Sequence, residues 1–176
     1  MKYYAQRSPF HKMIPIVTTR FTNDTLDENI RYRTTQNHAG CVYGSPQPLT
    51  AKIEPRQLLY VIEMNNSVNK VNGVGLIRNQ FVTTQHLSVY NTGNFNRYVF
   101  VGKYRLERHD LPQHLLEMLD EILFKGKTHM KRGAGFTSIP DRLLRTERWS
   151  DVDLSGEITK LFTDKYANYQ SAPDTI

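Results

Sequence analysis

The residues best suited to chemistry lie in one basic stretch, FKGKTHMKRGAGFTSIP, at residues 124–140. The cations in this stretch and just beyond it are Lys125, Lys127, Lys131, Arg132, Arg142 and Arg145. Lys and Arg side chains donate hydrogen bonds to phosphate oxygens, while Gly133 and Gly135 let the backbone approach a ligand closely. Phe136 adds an aromatic face on which a base can stack. The combination predicts contact with a nucleic-acid backbone.

Two other interpretations of the same stretch fit it less completely. The tripeptide GKT invites comparison with the phosphate-binding P-loop, but that motif needs a Gly five positions before Gly126, where the chain has Glu121. A P-loop also opens a helix, whereas this loop follows one. A helix end explains Lys125 and Lys127, because cations stabilise the negative end of the helix dipole. It does not explain the later HMKRGAGF, so nucleic-acid contact and a solvated surface loop both stay open.

A few titratable side chains are of the types that enzymes use. His109, Asp110 and His114 match the ligand types of metal phosphohydrolases, but they lack a coordination spacing, and Asp110 is better placed to cap a helix. Glu63 interrupts an apolar strand, so it either faces outward or is buried and paired. Cys41 lies in a turn-rich stretch without a nucleophile-elbow pattern. The sequence therefore predicts no catalytic residue, no metal site and no cofactor.

The composition narrows the class of protein. A chain of 176 residues with 39% hydrophobic residues suits one folded domain. Its net charge of +6 and pI near 9.4 favour a polyanionic partner, DNA or RNA, without requiring one. The single cysteine cannot form an internal disulfide, which indicates an intracellular protein. Because no apolar stretch approaches the ~20 residues of a membrane helix, we expect no membrane contact.

Four apolar runs predict the strands that position these residues. They are QLLYVIEMN, VNGVGLIRN, FVTTQHLSVY and RYVFVGKYRLE. The first two are joined by a turn-rich connection and predict a hairpin. In the second run, Gly73 and Gly75 permit a bulge or a close approach of another backbone.

Hydrophobic periodicity and turn-forming residues predict the remaining elements. Residues 1–50 lack a regular period and are rich in breakers, which predicts an N-terminal arm with loops, while residues 51–176 form the folded domain. A helical stripe predicts the main helix over 111–125 with Asp110 as its cap, and two short helices follow it. We therefore predict an α+β fold: a mostly antiparallel, curved or barrel-like sheet packed by one main helix and by short C-terminal helices.

Three stretches carry a family resemblance: YVIEMNNSVNKVNGVGLIRN, RYVFVGKYRLERHDLP and EILFKGKTHMKRGAGFTSIP. Together they resemble small uncharacterised proteins encoded by nucleocytoplasmic large DNA viruses, over about residues 40–145. A weaker similarity, in the VNGVGLIRN strand and in YRLER before a helix, is to PUA-like barrels of the EVE and ASCH kind. That second resemblance implies nucleic-acid binding, in some members through a pocket for a modified base.

These observations predict a non-enzymatic nucleic-acid-binding accessory protein of a large DNA virus, which grips the phosphate backbone through the basic loop. One alternative is a virion structural or assembly protein whose N-terminal arm contacts other virion proteins. A second alternative is a nuclease or other phosphate-ester hydrolase that uses Glu63, His109 or Asp110. The expected location is the host cytoplasm or nucleus, or the virion.

Overall fold

A computed structural model of the chain describes residues 13–167. Within those residues, the strands are β1 (Ile16–Phe21), β2 (Cys41–Ser45), β3 (Leu58–Asn65), β4 (Lys70–Arg78), β5 (Tyr98–Gly102), β6 (Tyr104–Glu107) and β7 (Thr137–Ser138). The helices are α1 (Asn23–Thr35), α2 (Gln113–Phe124), α3 (Asp141–Leu144) and α4 (Leu154–Tyr166), with 3₁₀ turns at Gly93–Asn96 and Arg108–Asp110. None of the helices in this part of the chain is long and apolar enough to cross a bilayer.

The strands form two sheets, and the α+β class predicted from the sequence is confirmed. One sheet has five strands in the order β6-β4-β3-β1-β7, and β2 pairs with β5 in a second sheet. β1 runs parallel to β3, and the other strand pairs are antiparallel. The large sheet is therefore mixed rather than wholly antiparallel, and it is not closed.

The prediction that residues 1–50 form an arm with loops is wrong for most of residues 16–45, where β1, α1 and β2 lie. β1 lies between β3 and β7 in the large sheet, and α1 has 13 residues, more than three turns. Thr22 caps α1 by accepting a hydrogen bond from the Thr25 N–H, and Thr25 accepts in return from the Thr22 N–H. The fully buried residues of α1 are Leu26 and Asn29. Because one of these two residues is an amide rather than an apolar side chain, apolar residues do not recur at the spacing of a helix. The sequence of α1 therefore resembles that of a loop.

The predicted hairpin is confirmed as β3 and β4, but the other two runs fold differently. Residues 81–90 form no strand; the Asn96 side chain accepts from the Val89 and Tyr90 N–H groups and donates to the Tyr90 carbonyl at 2.7 Å. The run over 97–107 breaks at Lys103 into β5 and β6, which belong to different sheets. High β-propensity therefore identified extended chain but not its pairing.

The three helices predicted after the strands are found as α2, α3 and α4, with corrections to length and capping. α3 is short, as predicted, but α4 has 13 residues and is longer than α2, which has 12. Pro112, not Asp110, occupies the N-cap position of α2, and Asp110 instead accepts from the Glu107 N–H within the preceding 3₁₀ turn. Asp153 caps α4 by accepting from the Gly156 N–H at 3.1 Å.

Two apolar clusters cover the two faces of the large sheet. α2 and α4 pack on one face, against the Tyr60, Ile62 and Met64 side chains of β3. The second sheet and α1 pack on the other face, against Leu59 and Val61. β3 is thus buried on both sides, which accounts for its continuous apolar run. Its period places Glu63 on the face that meets the second sheet.

We expect Gly75→Ala to lower the free energy of unfolding by roughly 1–3 kcal/mol, the usual cost of overfilling a packed core. A Cβ atom at Gly75 would lie 2.1 Å from the Tyr43 hydroxyl oxygen and 2.6 Å from Cys41 Sγ. Gly93→Ala is the control, because a Cβ atom there meets no atom within 4 Å. Urea unfolding measures both variants, and equal stabilities would contradict the close approach of the two sheets at Gly75.

Candidate functional site

The basic segment, residues 124–148, is fastened to the large sheet by Arg20 of β1. The Arg20 side chain donates from Nε to the Met130 carbonyl at 2.7 Å, from Nη1 to the Gly135 carbonyl at 3.4 Å and from Nη2 to Thr137 Oγ1 at 3.1 Å. Burial lowers the pKa of the Arg20 guanidinium from its usual value. One side chain thus binds three residues of the segment, and these hydrogen bonds hold the segment in a defined path along the sheet edge.

The positive charge of the chain is concentrated in this segment. Residues 124–148 hold seven Lys or Arg side chains against Asp141 and Glu147, a net charge of +5, which leaves +1 for the other 151 residues. The exposed cations of the predicted site are Lys125, Lys127, Arg132, Arg142 and Arg145, and Lys131 is half-buried. Of these, Arg145 lies 3.7 Å from the Asp141 carboxylate. The other five have no ion-pair partner within residues 13–167.

Both ends of the segment meet near the last turn of α2. Arg148 Nη1 donates to Glu121 Oε2 at 2.6 Å, and Trp149 Nε1 donates to the other oxygen of that carboxylate at 3.2 Å. Glu121 lies one helical turn before Lys125. The chain that follows Arg142 therefore returns to the end of α2 from which the loop departs.

The glycines and the phenylalanine of the predicted site have distinct surroundings. Gly133 is exposed with φ of 104°, a conformation that disfavours any other residue. Gly135 is buried with φ of 70°, and a Cβ atom there would lie 2.4 Å from the Ser45 hydroxyl oxygen. Phe136 packs edge-to-face on Tyr43 and Phe100, with ring centroids 6.3 and 5.2 Å apart. Its role as a stacking face stays a prediction, and it competes with this packing.

A second polar cluster lies inside the fold, around Glu63 and Arg105. Arg105 donates from Nε to Glu63 Oε1 at 2.8 Å and from Nη2 to Oε2 at 2.6 Å, and the two side chains are 2% and 4% exposed. The Tyr43 hydroxyl donates to Oε1 at 2.6 Å, and Asn72 Nδ2 donates to Oε2 at 3.3 Å. The possibility that Glu63 is buried and paired is confirmed. Sequence reasoning missed its partner Arg105, although a charge within the short apolar run YRLE is a comparable signal.

Two glycines of β4 make this pair possible. Arg105 on β6 must cross β4 to reach Glu63 on β3, and a Cβ atom at Gly73 would lie 2.8 Å from Arg105 Nη2. Gly75 leaves the corresponding space for the Tyr43 hydroxyl. Opposite Glu63 and Met64 the register of β4 shifts by one residue, and this bulge carries Asn72. The close approach of another backbone predicted for Gly73 is confirmed, since a Cβ atom there would lie 2.5 Å from the Leu106 carbonyl oxygen. The bulge lies at the neighbouring Asn72, and Gly75 is approached by side chains instead.

The protonation states of this cluster follow from burial and pairing. Burial raises the pKa of the Glu63 carboxyl, but its bonds to Arg105, Tyr43 and Asn72 outweigh burial, so the pKa is lowered from 4.5. Burial and the neighbouring negative groups raise the pKa of Tyr43. Cys41 lies in β2 rather than in a turn, and burial, followed by the Glu63 charge, raises its pKa to about 12. The Cys41 thiol is therefore protonated at neutral pH and is a poor nucleophile.

The structure does not gather His109, Asp110 and His114 into one site. His109 is 81% exposed and its Nε2 lies 3.8 Å from Asp110 Oδ1. Asp110 pairs with Lys165, and His114 Nε2 contacts Glu157 Oε2 at 2.6 Å on α4. In residues 13–167, no group of three or more His, Cys, Asp or Glu side chains is arranged to hold a metal ion.

A cleft opens above Arg105, between the end of α1 and strands β4 and β6. Its volume is about 450 Å³, and it is lined by Ile30, Arg33, Thr34, Asn37, His38, Ala39, Asn72, Arg105 and Glu107. His38 Nε2 lies 3.3 and 3.0 Å from the carbonyls of Cys41 and Gly102, so it carries the proton and closes the end of the cleft. Sequence reasoning missed this cleft, because its walls come from α1, β4 and β6, which are distant from one another in sequence.

Comparison with known proteins finds no matching family model, no similar curated protein and no similar solved structure.

We expect the buried pair to show strong coupling in a double-mutant cycle. Glu63→Gln or Arg105→Met leaves the partner charge buried without compensation, which costs about 3–5 kcal/mol. The double variant removes both charges and should lose much less than the sum of the two single losses. Chemical unfolding at neutral pH measures the cycle. Additive losses would show that the two side chains do not depend on each other.

We also expect Glu63 to contribute to acid unfolding. Because its folded-state pKa is lowered from 4.5, its ionised form stabilises the protein fully above that pH, and this contribution is lost as the pH falls through the folded pKa. Below pH 4.5 the stability of Glu63→Gln should therefore fall less steeply than that of the natural chain. Asp110, whose pKa is also lowered, contributes equally to both proteins. Parallel curves of unfolding free energy against pH would contradict the buried ionised carboxylate.

Proposed function

We propose that the chain binds the phosphate backbone of nucleic acid through the basic segment, without catalysing a reaction. The observation that carries the proposal is the placement of a net charge of +5 within residues 124–148, on a loop that Arg20 fastens to the sheet. Cations on a preformed loop lose less conformational freedom when they meet a polyanion than cations on a free chain do. The fastened loop therefore favours phosphate binding.

The state of the cations supports this proposal. Lys125, Lys127, Lys131 and Arg132 have no ion-pair partner among the described residues, whereas ordinary protein surfaces intersperse charges of both signs. Asn66 Nδ2 also donates to the Lys131 carbonyl at 2.9 Å, which supports the centre of the loop from the β3–β4 turn. Each unpaired cation is thus available to displace a counterion from a phosphate.

The biological setting proposed is that of an accessory protein of a large DNA virus, with DNA or RNA as partner, on the strength of the resemblance given above. Because of the similarity to PUA-like barrels, we also propose that the second sheet, β2 and β5, closes against the large sheet in a barrel-like arrangement. Its support is that β5 approaches β4 closely, since a Cβ atom at Gly102 would lie 2.2 Å from the Leu76 carbonyl oxygen.

The two alternative functions gain no support of their own. An assembly role for the N-terminal arm would have to use residues 1–12, which lie outside the described residues, because β1, α1 and β2 are built into the fold. A hydrolase that used Glu63, His109 or Asp110 would need such residues to converge in one site. Glu63 instead binds Tyr43 and Arg105 inside the fold, whereas Asp110 pairs with Lys165 and lies beside the exposed His109. Both stay predictions.

The experiment is the salt dependence of nucleic-acid binding. Each cation that contacts a phosphate contributes roughly 0.9 to the slope of log affinity against log salt for duplex DNA, or roughly 0.7 for a single strand. We expect Lys131→Ala with Arg132→Ala to weaken binding to all sequences and to reduce the slope by about 1.8 at most for a duplex. Fluorescence anisotropy with one labelled oligonucleotide over a series of salt concentrations measures both quantities.

Lys52→Ala with Lys70→Ala is the matched control. These lysines are exposed, lie outside the basic segment and have no ion-pair partner within residues 13–167, so the change in net charge is the same. The control variant should keep a slope close to that of the natural chain. If both double variants behave alike, binding is a property of the overall charge. If the natural chain binds no oligonucleotide at low salt, the proposal is wrong.

A further inference from the structure

A small pocket lies where β1 meets the basic segment. Its walls include Thr19 and Arg20 of β1, Tyr90 and Phe95 of the long connection between β4 and β5, and Gly135 of the basic segment. No residue lines both this pocket and the larger cleft described above. None of the residues that line the pocket is acidic, whereas one of them is a cation. The charge around the pocket therefore favours an anionic ligand.

The Thr19 hydroxyl opens into this pocket without a partner. Thr19 is 5% exposed, and its hydroxyl makes no hydrogen bond within residues 13–167. Its neighbour Thr18, by contrast, donates to the Thr137 carbonyl at 3.2 Å. Among the described residues, the unpartnered side-chain atoms that are sealed from solvent are Asn66 Oδ1 and Arg105 Nη1, so the Thr19 oxygen is reached through the pocket. A ligand oxygen that accepts from this hydroxyl removes the cost of burying it unpaired.

Arg20 and Gly135 bring further donors to the pocket. Three N–H groups of the Arg20 guanidinium donate to residues of the basic segment, and its other N–H groups have no acceptor within residues 13–167. No carboxylate in this part of the chain pairs with Arg20. The Gly135 N–H also has no acceptor among the described residues, although Gly135 is buried. A half-buried cation without a counter-ion gains most from an anion that binds beside it.

The basic segment leads directly to the pocket. Gly133 is exposed, and a Cβ atom there would lie 3.8 Å from Arg20 Cζ. Arg132 precedes it, is exposed and has no ion-pair partner within residues 13–167. A strand whose phosphates contact Arg132 therefore has its next phosphate close to Arg20.

We propose that the pocket receives the terminal phosphate of a nucleic-acid strand, an inference that rests on the function proposed above. One oxygen of that phosphate accepts from the Thr19 hydroxyl, and the Arg20 guanidinium pairs with its charge. The pocket volume of about 40 Å³ is close to the ~30 Å³ share of one water molecule, so phosphate oxygens enter it but an aromatic base does not. A terminal phosphate also carries a charge of about −1.5 to −2 at neutral pH, against about −1 for an internal one.

Fluorescence anisotropy of the full chain with three single strands of one sequence tests the proposal. One strand carries a 5′-phosphate, one carries a 3′-phosphate and one has hydroxyl groups at both ends, and each has its label on an internal base. We expect at least one of the phosphorylated strands to bind about tenfold more tightly than the hydroxyl strand, because it adds charge-assisted hydrogen bonds.

Thr19→Val assigns this preference to the pocket, since it removes the hydroxyl and keeps the volume of the side chain. The preference for the phosphorylated strand should fall to about twofold or less, while the affinity for the hydroxyl strand stays unchanged. Because the hydroxyl has no partner in the described protein, urea unfolding should show no loss of stability. Thr35→Val is the matched control, since Thr35 is exposed at the other end of α1 and does not line the pocket.

The failure of this inference is distinguishable from the failure of the proposed function. Equal binding of the three strands to the natural chain would overturn the inference alone, and binding of no strand at low salt would overturn both. A preference for a phosphorylated end that survives Thr19→Val would place the terminal phosphate outside the pocket and contradict the inference. Tight binding of inorganic phosphate together with equal binding of the three strands would make this a site for free phosphate instead.

Discussion

The buried ion pair between Glu63 and Arg105 is the interaction on which the arrangement of both sheets depends. It joins β3 to β6 across β4, and Tyr43 of β2 donates to the same carboxylate, so four strands from two sheets meet at one charged group. A buried carboxylate is tolerated only when its oxygens are fully paired. The glycines at 73 and 75 and the bulge at Asn72 satisfy that condition. A shift of β4 by one residue would place side chains where Arg105 and Tyr43 now pass.

The two faces of the large sheet are covered by different elements. α2 and α4 cover one face and provide most of the apolar core, while the opposite face holds the polar cluster, α1 and the second sheet. The basic segment leaves α2 and crosses to the far edge of the sheet, where β7 pairs with β1 and Arg20 fixes the loop between them. Arg20 thus has a structural role, whereas Lys125, Lys127, Lys131 and Arg132 have no ion-pair partner within residues 13–167.

Sequence reasoning succeeded where local signals were sufficient. The apolar stripe of α2 and the turn between β3 and β4 identified those elements because period and turn chemistry are properties of neighbouring residues. α1 was missed because its buried face contains Leu26 and Asn29, which give no apolar stripe. The pairing of Glu63 was foreseen as one of two options, but its partner lies 42 residues away, across an intervening strand. The basic loop was visible as a charge pattern, whereas its fastening by Arg20 depends on a contact more than 100 residues distant.

The central claim is that a fastened loop, rather than the overall charge, meets the polyanion. Hydrogen–deuterium exchange with and without a single-stranded oligonucleotide at low salt tests it most directly, because protection reports where the backbone becomes ordered or covered. We expect slower exchange over residues 125–136 and 141–148, and no change over the residues that line the cleft. Protection spread evenly over the exposed lysines and arginines of the chain, or confined to residues outside the basic segment, would contradict it.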